Sequence, residues 1–227
     1  MTLSHRAYVL VLLGLFALWW LALAIAPVDR ADWMLENALV VVALAVLVVT
    51  DRWFRFSRVS YTLIFLFLCL HEIGAHYTYA KVPYHDWLQG IGVSLGAGRN
   101  HFDRLGHFAF GLLLAYPMRE VFVRVASARG FWGYYLPLDM TMAFSMIFEL
   151  IEWAAAEIFG GDLGVAYLGT QGDPWDAQKD MALASLGGLI AMVITALIIM
   201  RHQRDFTREW VESLRVKPAG TRRRARG

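Results

Sequence analysis

Cysteine is almost missing from this chain: Cys69 is the only one in 227 residues, and it lies inside an apolar stretch. A disulfide framework and a cysteine-ligated metal cluster are thereby excluded, and thiol redox chemistry is not expected. Charge is scarce too, at 18% of residues against 58% hydrophobic. The chain has no glycine-rich loop ending in Lys-Ser or Lys-Thr, no His-Glu-x-x-His helix and no Gly-x-Ser-x-Gly elbow, so the common soluble NTPase, zincin and serine-hydrolase readings fall away. No internal repeat or low-complexity linker divides it.

What is present is apolar sequence, with a mean hydropathy of +0.47. Six stretches approach the roughly 20 helical residues needed to cross a hydrocarbon core: Ala7 to Ala26, Leu35 to Thr50, Val59 to Tyr79, Leu105 to Met118, Leu136 to Ile158 and Met181 to Met200. The expected fold is all-α, a polytopic membrane bundle over 1–200 followed by a basic tail over 201–227. The fourth stretch is the shortest and spans only if it is extended back through His107 and Asp103. Ala24-Ile25-Ala26 resembles a signal cleavage site. The long apolar run before it, with Trp19-Trp20 near its outer end, favours retention as a helix.

Basic residues set the orientation. Arg52, Arg55 and Arg58 lie between the second and third stretches, and Arg119, Arg124 and Arg129 between the fourth and fifth. The tail after Met200 carries nine Lys or Arg against three Asp or Glu, whereas the Pro27 to Asp32 and Gly160 to Lys179 loops are acid-rich. Both termini are therefore expected on the cytoplasmic side of the membrane. In the tail, Phe206, Trp210 and Leu214 recur every four residues among Arg204, Arg208 and Arg215, and Arg222 to Arg226 adds a basic run. That pattern suits a helix on anionic lipid, or simply a topology signal. A basic terminus without a nucleic-acid module does not indicate nucleic-acid binding.

Four pairs of ionisable residues interrupt this apolar background: Glu72 with His76, Asp103 with His107, Glu149 with Glu152, and Asp176 with Asp180. Members of each pair are three or four residues apart, hence on one helix face, and charge within a bilayer usually marks a site. At 1.5 Å per residue, His71, Glu72 and His76 fall roughly 18 to 26 Å along an outward-running span, and Glu149 and Glu152 roughly 20 to 24 Å along another. Asp103, His107, Asp176 and Asp180 open inward-running spans. All are expected in the outer third of the bilayer, forming an outward-facing pocket.

Imidazole with carboxylate suits zinc, manganese or iron, so His71, Glu72, His76, Asp103, His107, Asp176 and Asp180 are the candidate ligands of a divalent metal. His71 lies about 140° around the helix from His76, so these two do not form a tight chelating pair. Glu149 and Glu152 are the candidate catalytic carboxylates: one turn apart in lipid, they require a cation between them or a proton on one. Arg99, Arg104 and Lys179 supply fixed positive charge for an anion, and Gly92, Gly96 and Gly98 allow a loop to approach closely. Plainer roles compete. Asp173-Pro174 reads as a helix cap, Asn100 with Asp103 reads as another, and Glu157 and Asp162 are expected to be solvated.

His71-Glu72-Ile73-Gly74-Ala75-His76, the Gly98 to His107 stretch, Phe148-Glu149-Leu150-Ile151-Glu152-Trp153, and Gly172-Asp173-Pro174-Trp175-Asp176 with Asp180 resemble the YjdF-like family of bacterial inner-membrane proteins. That family is without an assigned activity, and the resemblance covers about residues 55–200. A more distant similarity is to VanZ-like membrane proteins, associated with glycopeptide resistance. Asp103-Arg104 before His107-Phe108, the Glu149 to Glu152 helix and the Asp176 to Gly188 helix carry it. Glu152 and Asp180 stand where that group tends to carry glutamine and asparagine, which makes this site more acidic.

Three functions follow as expectations. The first is a metal-assisted hydrolase or transferase acting on a lipid-linked or phosphorylated envelope substrate. The second is a nonenzymatic envelope assembly or binding protein whose polar residues lock the bundle. The third is a proton-coupled transporter. It fits least, because only Asp139 lies toward the inner side of the spans.

Overall fold

The computed structural model describes residues 3–93, 98–161, 164, 168–202 and 206–214, with the side chains of 206–208 left out. Among these residues every regular element is a helix. In chain order they are α1 (His5–Leu23), α2 (Arg30–Thr50), α3 (Arg58–His76), the short α4 (Tyr84–Gly90), α5 (Phe102–Arg124), α6 (Trp132–Phe159), α7 (Asp176–His202) and α8 (Phe206–Ser213). By length and composition α1, α2, α3 and α7 are apolar enough to cross a membrane. The equally long α5 and α6 carry more polar and charged residues.

Capping explains the boundaries. The Ser4 and Ser57 hydroxyls accept from the amides of Ala7 and Ser60 at 3.2 Å each, opening α1 and α3. Asp29 accepts from Ala31 and Asp32 at 2.8 and 3.1 Å, so α2 begins at Arg30 rather than at Leu35. That earlier start moves Asp32 out of the expected acidic loop and into a helix, one turn before Glu36. His101 occupies the N-cap position of α5, while Asn100 Oδ1 accepts from the Phe102 amide at 3.0 Å. α7 opens at Asp176, and Asp173 Oδ1 accepts from the Trp175 amide at 3.1 Å just before it.

Helix α5 is the centre of the bundle, packed against α3, α6 and α7. Its closest neighbour is α7, and small residues set that approach: a Cβ on Gly111 would collide with the Ala184 carbonyl oxygen, and one on Gly187 with the Phe108 carbonyl oxygen. α1 and α2 both lean on α3. One apolar cluster joins Phe16, Val40 and Leu68 of these three helices. A second joins Ala115, Tyr134, Ala191 and Met192, with Trp210 of α8 packed against it. Outward-facing positions such as Leu10, Leu18, Val48, Trp153 and Leu197 are exposed, as a lipid-facing surface requires.

The tail helix is pinned to the bundle. Trp210 meets the rings of Phe131 and Tyr134 at 5.5 Å each, and the Ser213 hydroxyl and carbonyl accept at 2.9 Å from the Phe131 amide and the Trp132 indole. Arg204, Arg215 and Arg222 to Arg226 lie outside the described residues, as do Gly96, Asp162 and the side chains of Phe206 and Arg208.

Candidate functional site

Polar side chains collect at the end of the bundle where α1, α3 and α6 finish and α2, α5 and α7 begin. The centre is Asp103 and His107 on α5 with Asp180 on α7. One ligand atom from each lies within 4.8 Å of the other two. His107 Nε2 is 3.6 Å from Asp103 Oδ1 and 3.3 Å from Glu149 Oε1 on α6. Glu152 lies one turn further along α6 and is buried. Among the described residues Glu149 Oε1 and Asp180 Oδ1 are buried without a hydrogen-bond partner, so both remain available as donor atoms to a cation.

Beside this set, Asp32 and Glu36 of α2 meet Asp103, Glu152, Thr78, Tyr79 and Gly169 around a cavity of about 10 Å³, the size of roughly one water. Asp32 is 1% and Glu36 3% exposed, which is unusual for carboxylates. Asp103 lines the cavity and also belongs to the His107 set, so it joins the two.

The turn after α3 completes the wall. Thr78 and Tyr79 have φ of 53° and 45°, a left-handed conformation that side chains other than glycine seldom adopt. It folds the Tyr79 ring onto Gly74, where any Cβ would overlap it, and brings the Tyr79 hydroxyl to 2.6 Å from His71 Nδ1. His71 Nε2 faces Glu36, 3.4 Å from its carbonyl and 4.0 Å from its carboxylate. Glu72 has no exposed surface and lies beside Asn37, whose Oδ1 accepts from the Trp20 indole at 2.5 Å.

The candidate ligands thus separate. Asp103, His107 and Asp180 come together, with Glu149 adjoining. His71 belongs with Glu36 and Tyr79. His76 turns away, its Nδ1 2.7 Å from the Leu23 carbonyl oxygen. Asp176 is held by Arg99, 2.5 Å from each carboxylate oxygen, and by Arg104 at 3.2 Å. Arg104 also reaches Asp173 at 2.6 Å, and Lys179 reaches it at 2.5 Å. The three cations expected to receive an anion are therefore each engaged with an acid of the chain. Asp173 lies outside the long helices, and the Lys179 ammonium, the Trp175 amide and the Arg104 guanidinium hold its carboxyl well below the usual carboxylate range. Arg99 further bonds the carbonyls of Thr170 and Gly169, and Asn100 and Gln171 exchange two hydrogen bonds at 2.9 Å, tying together the segments that precede α5 and α7.

Sequence reasoning missed Asp32, Glu36 and Tyr79. The signal for the first two was available: they repeat the four-residue spacing of Asp103 with His107, and Asp29 is a capping residue placed to start the helix before them.

The arrangement belongs to a known sequence group. The family described as "Predicted membrane protein (DUF2238)" matches residues 8–201. The chain belongs to this family. It is also similar to "Inner membrane protein YjdF" of Escherichia coli (strain K12), 38% identical over 183 residues that cover 78% of this chain and 84% of the relative. No solved structure matches. The DUF2238 match and the apolar helices make the chain an integral membrane protein. The site residues from Asp32 to Asp180 all fall inside the matched region.

Proposed function

We propose that this DUF2238 protein is a membrane-embedded, metal-dependent hydrolase or transferase. Its substrate class would be a lipid-linked or phosphorylated component of the cell envelope. The carrying observation is the convergence of Asp103, His107 and Asp180 ligand atoms within 4.8 Å. One imidazole and two carboxylates suit zinc, manganese or iron, and three protein ligands leave a coordination position for water or substrate. Such an ion would polarise a phosphoryl or carbonyl oxygen and activate a water. Glu149, whose Oε1 is 3.3 Å from His107 Nε2, would accept a proton from that water, with Glu152 one turn along α6 to share it.

A second reading rests on the ion pairs. Arg99, Arg104 and Lys179 all engage Asp173 or Asp176, as expected if the polar end serves to lock the helices of an assembly or binding protein.

Metal content of detergent-purified protein separates the two. The enzyme reading expects about one equivalent of zinc, manganese or iron, lost from His107→Ala and Asp180→Asn variants whose thermal unfolding still shows a folded protein. No metal in the wild type, loaded in cells and after incubation with each ion, overturns it.

A further inference from the structure

At the opposite end of the bundle α1 and α2 part from one another. In their site-proximal halves Phe16 packs with Val40, and the Trp20 indole bonds Asn37 at 2.5 Å. Toward the other end a crevice of about 370 Å³ opens between them, floored by Ile64, Phe65 and Leu68 of α3 and walled by residues such as Leu13 and Leu47. That volume lies within the range of small-molecule and lipid-chain sites.

The mouth of the crevice differs from its walls. His5, Arg6, Asp51, Arg55 and Tyr61 ring it. Arg55 is bonded to Asp51 at 3.2 Å, and the Tyr61 hydroxyl lies 3.4 Å from the same carboxylate. His5 Nε2 is buried and without a hydrogen-bond partner, and Arg6 is exposed and takes part in no ion pair, among the described residues. Arg52 and Arg58 stand nearby on the rings of Trp53 and Tyr8. An apolar slot whose mouth carries Arg6, with no acid of the described residues paired to it, beside the unpartnered His5 nitrogen complements one kind of molecule in particular, a bilayer lipid with an anionic headgroup.

We infer that the α1–α2–α3 crevice binds an anionic phospholipid, one acyl chain between the helices and the phosphate at His5 and Arg6. The site is separate from the carboxylate cluster and does not depend on its chemistry. Basic pockets between transmembrane helices recognise headgroups through charge, while the slot selects a chain over bulk lipid by shape.

The test is native mass spectrometry of the full chain released from nanodiscs of phosphatidylcholine containing phosphatidylglycerol. The wild type should retain one phosphatidylglycerol in preference to phosphatidylcholine. Arg6→Gln should lower that retention roughly fivefold, the worth of one cation near a membrane surface. Leu13→Trp, which fills a lipid-facing slot without touching the mouth, should abolish it, and Arg129→Gln, at the same end but away from the crevice, should leave it intact. Equal retention of the two lipids by the wild type overturns the inference. So does unchanged retention in both Arg6→Gln and Leu13→Trp, or an equal loss in Arg129→Gln, which would mean general surface attraction.

Discussion

Asp173 is bound by more partners than any cap requires: a backbone amide, Lys179 at 2.5 Å and Arg104 at 2.6 Å. Because its carboxyl is held below its ordinary value in the folded chain, the stabilisation it gives is complete above the unfolded value of about 4 and is lost as pH falls through the lower folded value. Wild type and Asp173→Asn should therefore differ in thermal stability in detergent at pH 6 to 7, and the gap should close as the pH is lowered below about 4. A gap that persists at acid pH would show that the loss comes from geometry rather than charge. Glu149 makes a different demand. Glu149→Gln keeps size and hydrogen bonding but cannot take up a proton, so under the proposed chemistry it should leave folding intact while abolishing any phenotype that the wild-type gene restores to a deletion strain. Full complementation by Glu149→Gln would remove that residue from the mechanism. At this scale the sequence exposed Asp103, His107, Glu149 and Asp180 because each is an ionisable residue in apolar surroundings. It hid Asp32 because the acid-rich Pro27 to Asp32 stretch resembled an aqueous loop, and Glu36 because, at the very start of the expected span from Leu35, it had no partner one turn away within that span. It could not show that Arg99 and Arg104 are paired, since their partners Asp176 and Asp173 lie 77 and 69 residues away in sequence.

Among elements, the α5–α7 contact decides where the candidate ligands meet, since it brings His107 beside Asp180. Gly111 and Gly187 make it possible, each facing backbone of the other helix so closely that no side chain can give way. Gly111→Ala and Gly187→Ala should each destabilise the protein by at least the roughly 1–3 kcal/mol typical of overpacking, and both should weaken metal retention by forcing the helices apart. Gly14→Ala, on a face of α1 with nothing within 4 Å, should do neither in the same thermal-shift and metal assays. If Gly187→Ala melts like the wild type, the close approach is wrong. Most helices were legible from hydropathy, while their ends depended on caps: Asp29 sets the start of α2, and α5 runs from Phe102 to Arg124 because its polar first turns are buried against α7 and the loops. Trp210 was legible as one apolar position of a short amphipathic helix. That this helix docks on Phe131 and Tyr134 follows from tertiary contacts that periodicity does not carry.

For the whole molecule, the alternation of helix directions places the carboxylates at one end and Arg6, Arg52, Arg55, Arg58 and Arg129 at the other. Positive residues favour the cytoplasmic side, so the acidic end should face the periplasm and both termini the cytoplasm. Cysteine labelling checks this directly, because replacing Cys69 leaves a background free of thiols. In Cys69→Ser cells, Gln89→Cys on α4 should react with a membrane-impermeant maleimide, whereas Arg129→Cys should react only after permeabilisation. The opposite pattern would turn the candidate site to the cytoplasm. Its substrate would then have to be a cytoplasmic or inner-leaflet molecule, and the anionic lipid proposed for the α1–α2–α3 crevice would have to come from the outer leaflet. The labelling result therefore constrains both proposals together: a periplasmic Gln89 leaves the carboxylate cluster facing envelope substrates and the arginine-rich crevice facing the inner leaflet, whose anionic lipids match its charge.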